Sequence, residues 1–427
     1  MPDQPLEDSQ TSSTVKRAGS PRRSVGVLMG VLLVIGVVSL VWLARTPRGP
    51  SPKVVLFGID GGDWRVIEPL MKAGRMPNLA RLVADGASGN LTSYQPTMSP
   101  QIWNTIVTGK HYQEHGVDWF AVKLSDPGSR AELEDQELFV PITSASRKVP
   151  AVWDILGQAG DTVGVIGYWA TWPATPVNGF MVSDRFSYSR INKVAGADQM
   201  LEHQTHPPEL AAKLRGDVMS PEQVTAEDRA GFIKGSVEVH DWRISHDIVA
   251  EFDITYAQAQ TYRRVGLHLL EQGQPDFFAI YFQGVDVTCH YFWEFRRPAY
   301  AGREVPAESI EKFGGVIDAF YQYQDKILGE FLERLNDDTV VIVCSDHGFK
   351  DLVFDERTQP HISGWHRLNG MLVIAGPGIK AGTKLTGVDV YDITPTILAL
   401  RNLPVAKDMK GRVIAEAFEQ GALGKVR

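Results

Sequence analysis

Short apolar runs without polar alternation recur along this chain, and they restrict its fold more than any other feature. Val54–Ile59, Thr162–Ile166, Phe277–Phe282, Val340–Cys344 and Met371–Ala375 are of this kind. A strand with one wet face alternates apolar and polar residues, so these runs predict strands buried on both faces, as in a parallel sheet. Helical stretches between them stop cleanly: Pro77–Asp85 ends before Gly86, and Pro150–Ala159 ends before Gly160. Proline suits a first helical turn and glycine the position past the last. Strands alternating with helices predict an α/β domain with a mostly parallel, doubly wound sheet. Residues from about Phe186 to Gln260 break the rhythm. They are polar, with helix-like pieces at Pro208–Leu214 and Pro221–Lys234, and read as an insertion over the sheet edge. No internal repeat is evident.

A longer apolar segment of another kind lies near the N-terminus. From Ser24 to Ala44 there is no charge, and Trp42 stands at its trailing edge. About 20 such residues suffice for a helix to cross a bilayer core, with aromatic rings favoured at the interface. Lys16, Arg17, Arg22 and Arg23 precede the segment; Arg45 and Arg48 follow it. That bias predicts a cytoplasmic N-terminus and a catalytic domain on the periplasmic or extracellular side. A cleaved signal peptide needs a shorter core and a small-residue cleavage site, and Ala44-Arg45-Thr46-Pro47 is a poor one. The expected organisation is a disordered tail at 1–23, a transmembrane helix at 24–44 and a linker at 45–52. A catalytic domain at 53–415 follows, with its insertion at about 186–260, and then a tail at 416–427.

Composition excludes several other classes. An apolar fraction of 43% with 22% charged residues is that of a globular protein. The net charge of −8 argues against nonspecific nucleic-acid binding, which needs a basic footprint. Only Cys289 and Cys344 are present, too few for a disulfide scaffold or a cysteine zinc site. The simple reading is two buried thiols.

The functional signal is where the acids fall. Val54–Ile59 runs into Asp60, Phe277–Phe282 is followed closely by Asp286, and Val340–Cys344 runs into Ser345-Asp346-His347-Gly348. Ligands in open α/β sheets bind beyond the carboxyl ends of the strands, so these three aspartates are expected on one rim. Any one of them alone is a helix cap or turn residue. His290 four residues after Asp286, His347 beside Asp346, and His366 in Gly364-Trp365-His366 change that reading. Carboxylate oxygen with imidazole nitrogen is ligand chemistry for zinc and related divalent ions. In Thr97-Met98-Ser99-Pro100, the proline suits a first helical position, which makes Ser99 the expected N-cap. There the helix dipole favours an alkoxide or a bound phosphate, although an ordinary serine cap has the same sequence.

These residues together resemble the alkaline phosphatase superfamily, in particular its type I phosphodiesterase and nucleotide pyrophosphatase branch. The resemblance runs from Lys53 to Val413. It is carried by Gly58-Ile59-Asp60-Gly61, Met76-Pro77-Asn78-Leu79, Val107-Thr108-Gly109 with His115-Gly116, Tyr168 to Pro173, and Asp286 to His290. Ser345-Asp346-His347-Gly348, His366, Gly376-Pro377-Gly378-Ile379 and Asp392-Ile393-Thr394-Pro395-Thr396 complete it. It implies an alkaline-phosphatase-like α/β/α sandwich and two divalent cations, zinc with manganese or iron as alternatives. Asp60, Asp346 and His347 would hold one cation beside the nucleophile Ser99; Asp286, His290 and His366 would hold the other. The family's asparagine three residues after the nucleophile is Ile102 here. Gln101 or Asn104 is expected to replace it, with Trp103 shaping the pocket. The sulfatase signature is incomplete, because Gln101 follows Pro100 and no arginine lies within the turn. Residues 186–260 and Tyr168–Trp172 are expected to form the leaving-group pocket.

The implied activity is metal-dependent hydrolysis of a nucleotide, lipid or other small phosphoester through a phosphoserine. The same residues allow a monoester phosphatase, a transferase of phospho-head-groups, or a membrane-anchored binding protein without catalysis.

Overall fold

The computed structural model describes residues 51–123, 139–189, 202–243, 245, 247–352 and 362–423. In chain order its strands are β1 (Lys53–Ile59), β2 (Ala87–Thr92), β3 (Ala121–Lys123), β4 (Phe139–Pro141), β5 (Val163–Ile166), β6 (Gly179–Val182), β7 (Thr205–His206), β8 (Phe277–Phe282), β9 (Thr339–Cys344), β10 (Gly348–Asp351), β11 (Gly364–Arg367), β12 (Asn369–Ala375) and β13 (Thr383–Asp389). Nine of them build one sheet in the order β13-β2-β12-β9-β1-β8-β5-β6-β7, while β3–β4 and β10–β11 pair separately. The centre of the sheet, β9-β1-β8-β5-β6, is parallel throughout.

All five apolar runs are strands, and every residue of β8 and β9 is buried. Successive side chains of a strand point to opposite faces. Val55, Phe57 and Ile59 of β1 accordingly join one core, and Val54 and Leu56 the other. Helices Pro77–Asp85, Ile248–Glu271, Gly284–Arg296 and Val316–Leu332 cover the first face; Ser99–Thr108, Val152–Gln158 and Ile393–Leu400 cover the second. The result is the expected α/β/α sandwich. Cys289 and Cys344 are both buried and free.

Three expectations need correction or refinement. The Met371–Ala375 run, read with the parallel strands, forms β12, which is antiparallel to both β9 and β2. The connection is consistent with this: β9 returns to β12 through the antiparallel β10–β11 pair, with no crossover helix among the described residues. Pro221–Lys234 is not one helix but a 3-10 turn at Pro221–Gln223 and a short helix at Ala226–Ala230 capped by Thr225. The polar stretch drawn to Gln260 ends inside the Ile248–Glu271 helix, whose Phe252, Tyr256 and Leu269 belong to the main core. The expected tail at 1–23, the span at 24–44 and most of the linker lie outside the described residues. Among the described residues no helix is long and apolar enough to cross a membrane.

Candidate active site

β1, β8 and β9 end level with one another, because Gly58 lies opposite both Tyr281 and Cys344. The residues that follow each strand therefore meet at one edge. Gly61 completes the turn after Asp60 with φ +72°, and a Cβ there would lie 3.0 Å from Cα of Asp286. Only glycine serves both demands. Asp286 and His290 share one face of the Gly284–Arg296 helix, four residues apart. β11 brings His366 across, with its Nε2 2.8 Å from Nε2 of His290 and 3.2 Å from Oδ1 of Asp286. Nε2 of His290 is 3.4 Å from the same oxygen. On the other side, Nε2 of His347 lies 3.4 Å from Oδ1 of Asp60 and 3.4 Å from Oδ2 of Asp346. It is also 3.7 Å from Oδ1 of Asp286, so His347 stands between the two groups. Ser99 Oγ donates to Oδ1 of Asp60 at 3.3 Å and is 3.5 Å from Nε2 of His347. All six expected ligands and Ser99 are thus gathered at one place.

The chemistry of these donors fits cations. Each histidine turns Nδ1 to a main-chain carbonyl: His290 to Gly364 at 2.9 Å, His347 to Gly348 at 3.3 Å, and His366 to Thr97 at 2.5 Å. That fixes the hydrogen on Nδ1 and leaves every Nε2 lone pair aimed inward, as for a metal-binding histidine. Those lone pairs face carboxylate oxygens and one another. Oδ1 of Asp286 and Oδ2 of Asp346 are buried and have no hydrogen-bond partner. Lone pairs converging in a buried space are reconciled by a positive charge between them. Without a metal, a proton takes that place. Burial and the Asp286 carboxylate push Asp60 up to about 8. Asp346 is driven well above the usual carboxylate range by burial, Asp60 and Asp286. Burial also tends to raise Asp286, but His290 and His366 hold it well below that range. His347 is pushed well down by burial and by His366.

Three details differ from the sequence reading. The helix begins one residue early: Ser99 is its first residue and Met98 its N-cap, with no side-chain cap bond. The Ser99 hydroxyl is turned to Asp60 instead. Gln101 and Asn104, expected at the substrate, are fully buried on the helix and bond the main-chain carbonyls of Pro96 (3.2 Å) and Pro100 (2.8 Å). Neither lines the cavity beside Ser99. Trp103 lies beneath the site, where Nε1 donates to Oδ2 of Asp60 at 3.1 Å, in the notch left by Gly58. Two further residues were not anticipated. Tyr281 donates to the same Oδ2. Asp63 binds Arg367 with both oxygens at 2.6 and 2.9 Å, accepts from the Phe349 amide at 2.9 Å, and caps the Trp64–Lys72 helix. It thereby ties the segments that carry Asp60, His347 and His366.

A cavity of about 480 Å³ opens from Ser99, Asp60, Asp286, His290 and His366. Trp119, Phe120, Trp169, Tyr281, Tyr291 and Trp365 form much of its wall. The Tyr168–Trp172 segment thus contributes Trp169, whereas Tyr168 is core.

Fold and site give an α/β/α scaffold with a buried carboxylate–imidazole cluster at its sheet edge. The profile of the type I phosphodiesterase / nucleotide pyrophosphatase family matches residues 54–409, and the chain belongs to that family. Among solved structures it is similar to an inactive form of murine ectonucleotide pyrophosphatase / phosphodiesterase 5 in complex with AMP. That likeness has TM-score 0.52 at 13% identity, covering 86% of this chain and 100% of that one. A 2-O GAG sulfatase is similar at TM-score 0.53 and 13% identity, over 88% of this chain and 76% of that one. The choline-sulfatase of Rhizobium meliloti (strain 1021) is 30% identical over 116 residues, which cover 24% of this chain and 21% of that protein. The match thus spans about a fifth of that relative.

Proposed function

We propose that the protein is a two-cation phosphodiesterase with Ser99 as its nucleophile. The observation that carries this reading is the placement of Ser99 Oγ, 3.3 Å from Asp60 and 3.5 Å from His347, at the foot of the cavity. Asp60, Asp346 and His347 would hold one divalent cation and Asp286, His290 and His366 the other; zinc is the first candidate for these mixed oxygen and nitrogen donors, with manganese or iron as alternatives. When bound, such ions supply Lewis acidity that lowers a hydroxyl pKa and neutralises phosphoryl oxygens.

The chain's own part follows from its geometry. Oδ1 of Asp60 accepts the Ser99 hydroxyl hydrogen and aims the oxygen lone pairs toward the cavity. Ser99 Oγ attacks phosphorus as the bond to one ester oxygen breaks, and that arm leaves as an alcohol with the proton. Water then attacks phosphorus, the Oγ–P bond breaks, and a phosphate monoester departs with Ser99 restored. The aromatic wall suits an ester with an organic arm, since it offers apolar surface that a bare phosphate does not use, and the family match makes the diester the first expectation. Nucleotide esters are the first natural candidates, given the AMP held by the murine relative. A single span at 24–44 would hold this domain on the periplasmic or extracellular side of a membrane.

The test is zinc-loaded enzyme on bis-p-nitrophenyl phosphate beside p-nitrophenyl phosphate. Faster diester cleavage, lost in Ser99→Ala with zinc content unchanged, is the expected result. Turnover retained in Ser99→Ala would sink the nucleophile assignment, and faster monoester cleavage would make the enzyme a phosphatase.

A further inference from the structure

The Asp60 carboxylate is held asymmetrically. Its Oδ2 receives two donors, the Tyr281 phenol and Nε1 of Trp103 at 3.1 Å. Its Oδ1 faces Ser99 Oγ at 3.3 Å and Nε2 of His347 at 3.4 Å. The donors also have a fixed direction. An indole N–H can only donate, and Nε1 of Trp169 donates to the Tyr281 oxygen at 2.9 Å. A phenol has one hydrogen. With its oxygen accepting from Trp169, that hydrogen goes to Asp60. Trp169 and Tyr281 both belong to the cavity wall. Trp169 is itself steadied from two sides: Phe120 packs edge-on at 5.5 Å, and the next amide, of Ala170, bonds Oδ2 of Asp184 at 3.1 Å.

We propose that Trp169 and Tyr281 are positioning residues, a hydrogen-bond relay from the cavity wall that saturates Oδ2 of Asp60 and so dedicates Oδ1 to the cation beside Ser99. The inference rests on the two-cation reading above. The two oxygens of a carboxylate are chemically equivalent, and rotation of the side chain exchanges them. A full exchange restores the same arrangement, so what the relay restricts is rotation away from it: a carboxylate turned aside would leave two buried donors without their acceptor. An organic arm filling the cavity packs on Trp169, so occupation of the cavity bears on the geometry of the nucleophile's neighbour.

The experiment is a double-mutant cycle on the full-length chain in detergent: wild type, Tyr281→Phe, Trp169→Phe and the double variant. Zinc affinity is measured by isothermal titration after stripping with chelator, beside kcat and KM on bis-p-nitrophenyl phosphate. Tyr281→Phe keeps the ring and removes only the hydroxyl, whereas Trp169→Phe removes the indole N–H together with the five-membered ring. Tyr281→Phe is expected to weaken one of two zinc ions by about 10–100-fold and to lower kcat with little change in KM. Trp169→Phe is expected to weaken the same ion to a smaller degree and to raise KM as well, because the cavity wall loses part of its ring. The double variant should bind zinc no worse than Tyr281→Phe, because without the phenol the indole has nothing to orient. Additive losses of zinc affinity, or unchanged zinc affinity in Tyr281→Phe, would overturn the relay. Should Tyr281→Phe not fold, unchanged zinc affinity in Trp169→Phe overturns it equally. A wild type that binds zinc but leaves the diester intact would reject the hydrolase reading, while the affinity cycle would still decide the relay.

Discussion

The two carboxylate–imidazole clusters use the same side-chain types in different surroundings. Asp60, Asp346 and His347 follow the central strands β1 and β9 and are no more than 1% exposed. Asp286 and His290 keep 13% and 14% of their side chains exposed, face the cavity, and stand on a helix. Their third member, His366, comes from the β10–β11 hairpin. The first cluster is thus part of the sheet edge and receives the Ser99 hydroxyl; the second is assembled across it and needs a fastening. Asp63 supplies that fastening, since its carboxylate bonds both Arg367 beside His366 and the Phe349 amide on the facing strand. The site is therefore sealed into the sheet edge where it holds the Ser99 hydroxyl and more open where it meets the cavity.

Substitution in the two clusters should separate them most. Asp346→Asn is expected to lower kcat/KM by at least about 10⁴-fold, on the scale seen when one member of a cooperating catalytic set is removed. His290→Ala, in the open cluster, should cost about 10–100-fold in affinity for one ion and leave the other in place. Equal losses in the two variants, by zinc titration and steady-state kinetics, would break the distinction. Next in size is Asp63→Ala. Removing one partner of a buried ion pair costs about 3–5 kcal/mol, and urea unfolding of the metal-free protein should register a loss of that order. A change below about 1 kcal/mol would mean that Asp63 fastens nothing.

Acidity sharpens the contrast further. The metal-free Asp60 carboxyl holds its proton up to about 8, far above its ordinary 3.8. A cation must displace that proton, so zinc affinity should rise with pH by up to about tenfold per unit as pH approaches 8, then level off. The raised folded pKa also means that the folded chain binds more protons than the unfolded one between these values. Stability from this group is complete below about 3.8 and is lost as pH rises through about 8. The metal-free protein should therefore melt lower at pH 8 than at pH 6, and the zinc-loaded protein should lack that fall. A pH-independent zinc affinity would contradict the buried, protonated cluster. The smallest expected difference is kinetic: chelator should remove zinc in two phases, the open cluster emptying first. A single phase would erase the distinction in access.

The site acids were legible because three aspartates fall just past three uncharged strands that share one sheet edge and have histidines close by, although each aspartate alone reads as a cap or turn residue. Their supports were hidden for the opposite reason. Tyr281 lies within the apolar run Phe277–Phe282, where a tyrosine reads as core, and only its partner Asp60 shows what the hydroxyl does. Asp63 reads as a helix cap, which it is, and nothing local announces Arg367 across the fold. Gln101 and Asn104 were misplaced because sequence gives their spacing from Ser99 but not the rotation of the helix, which turns both away from the cavity. β2 escaped notice because Ala87–Thr92 is small and polar. Its Gly89 is there for close approach, since a Cβ would lie 2.3 Å from the Leu385 carbonyl of β13.

The most direct test of the central claim is to trap the covalent enzyme. Zinc-loaded protein mixed with a diester and quenched in acid should carry the retained phosphoester arm on the peptide containing Ser99, as read by mass spectrometry, and Ser99→Ala should carry none. An adduct on another residue, or rapid turnover with no adduct at any time after mixing, would contradict Ser99 as the nucleophile.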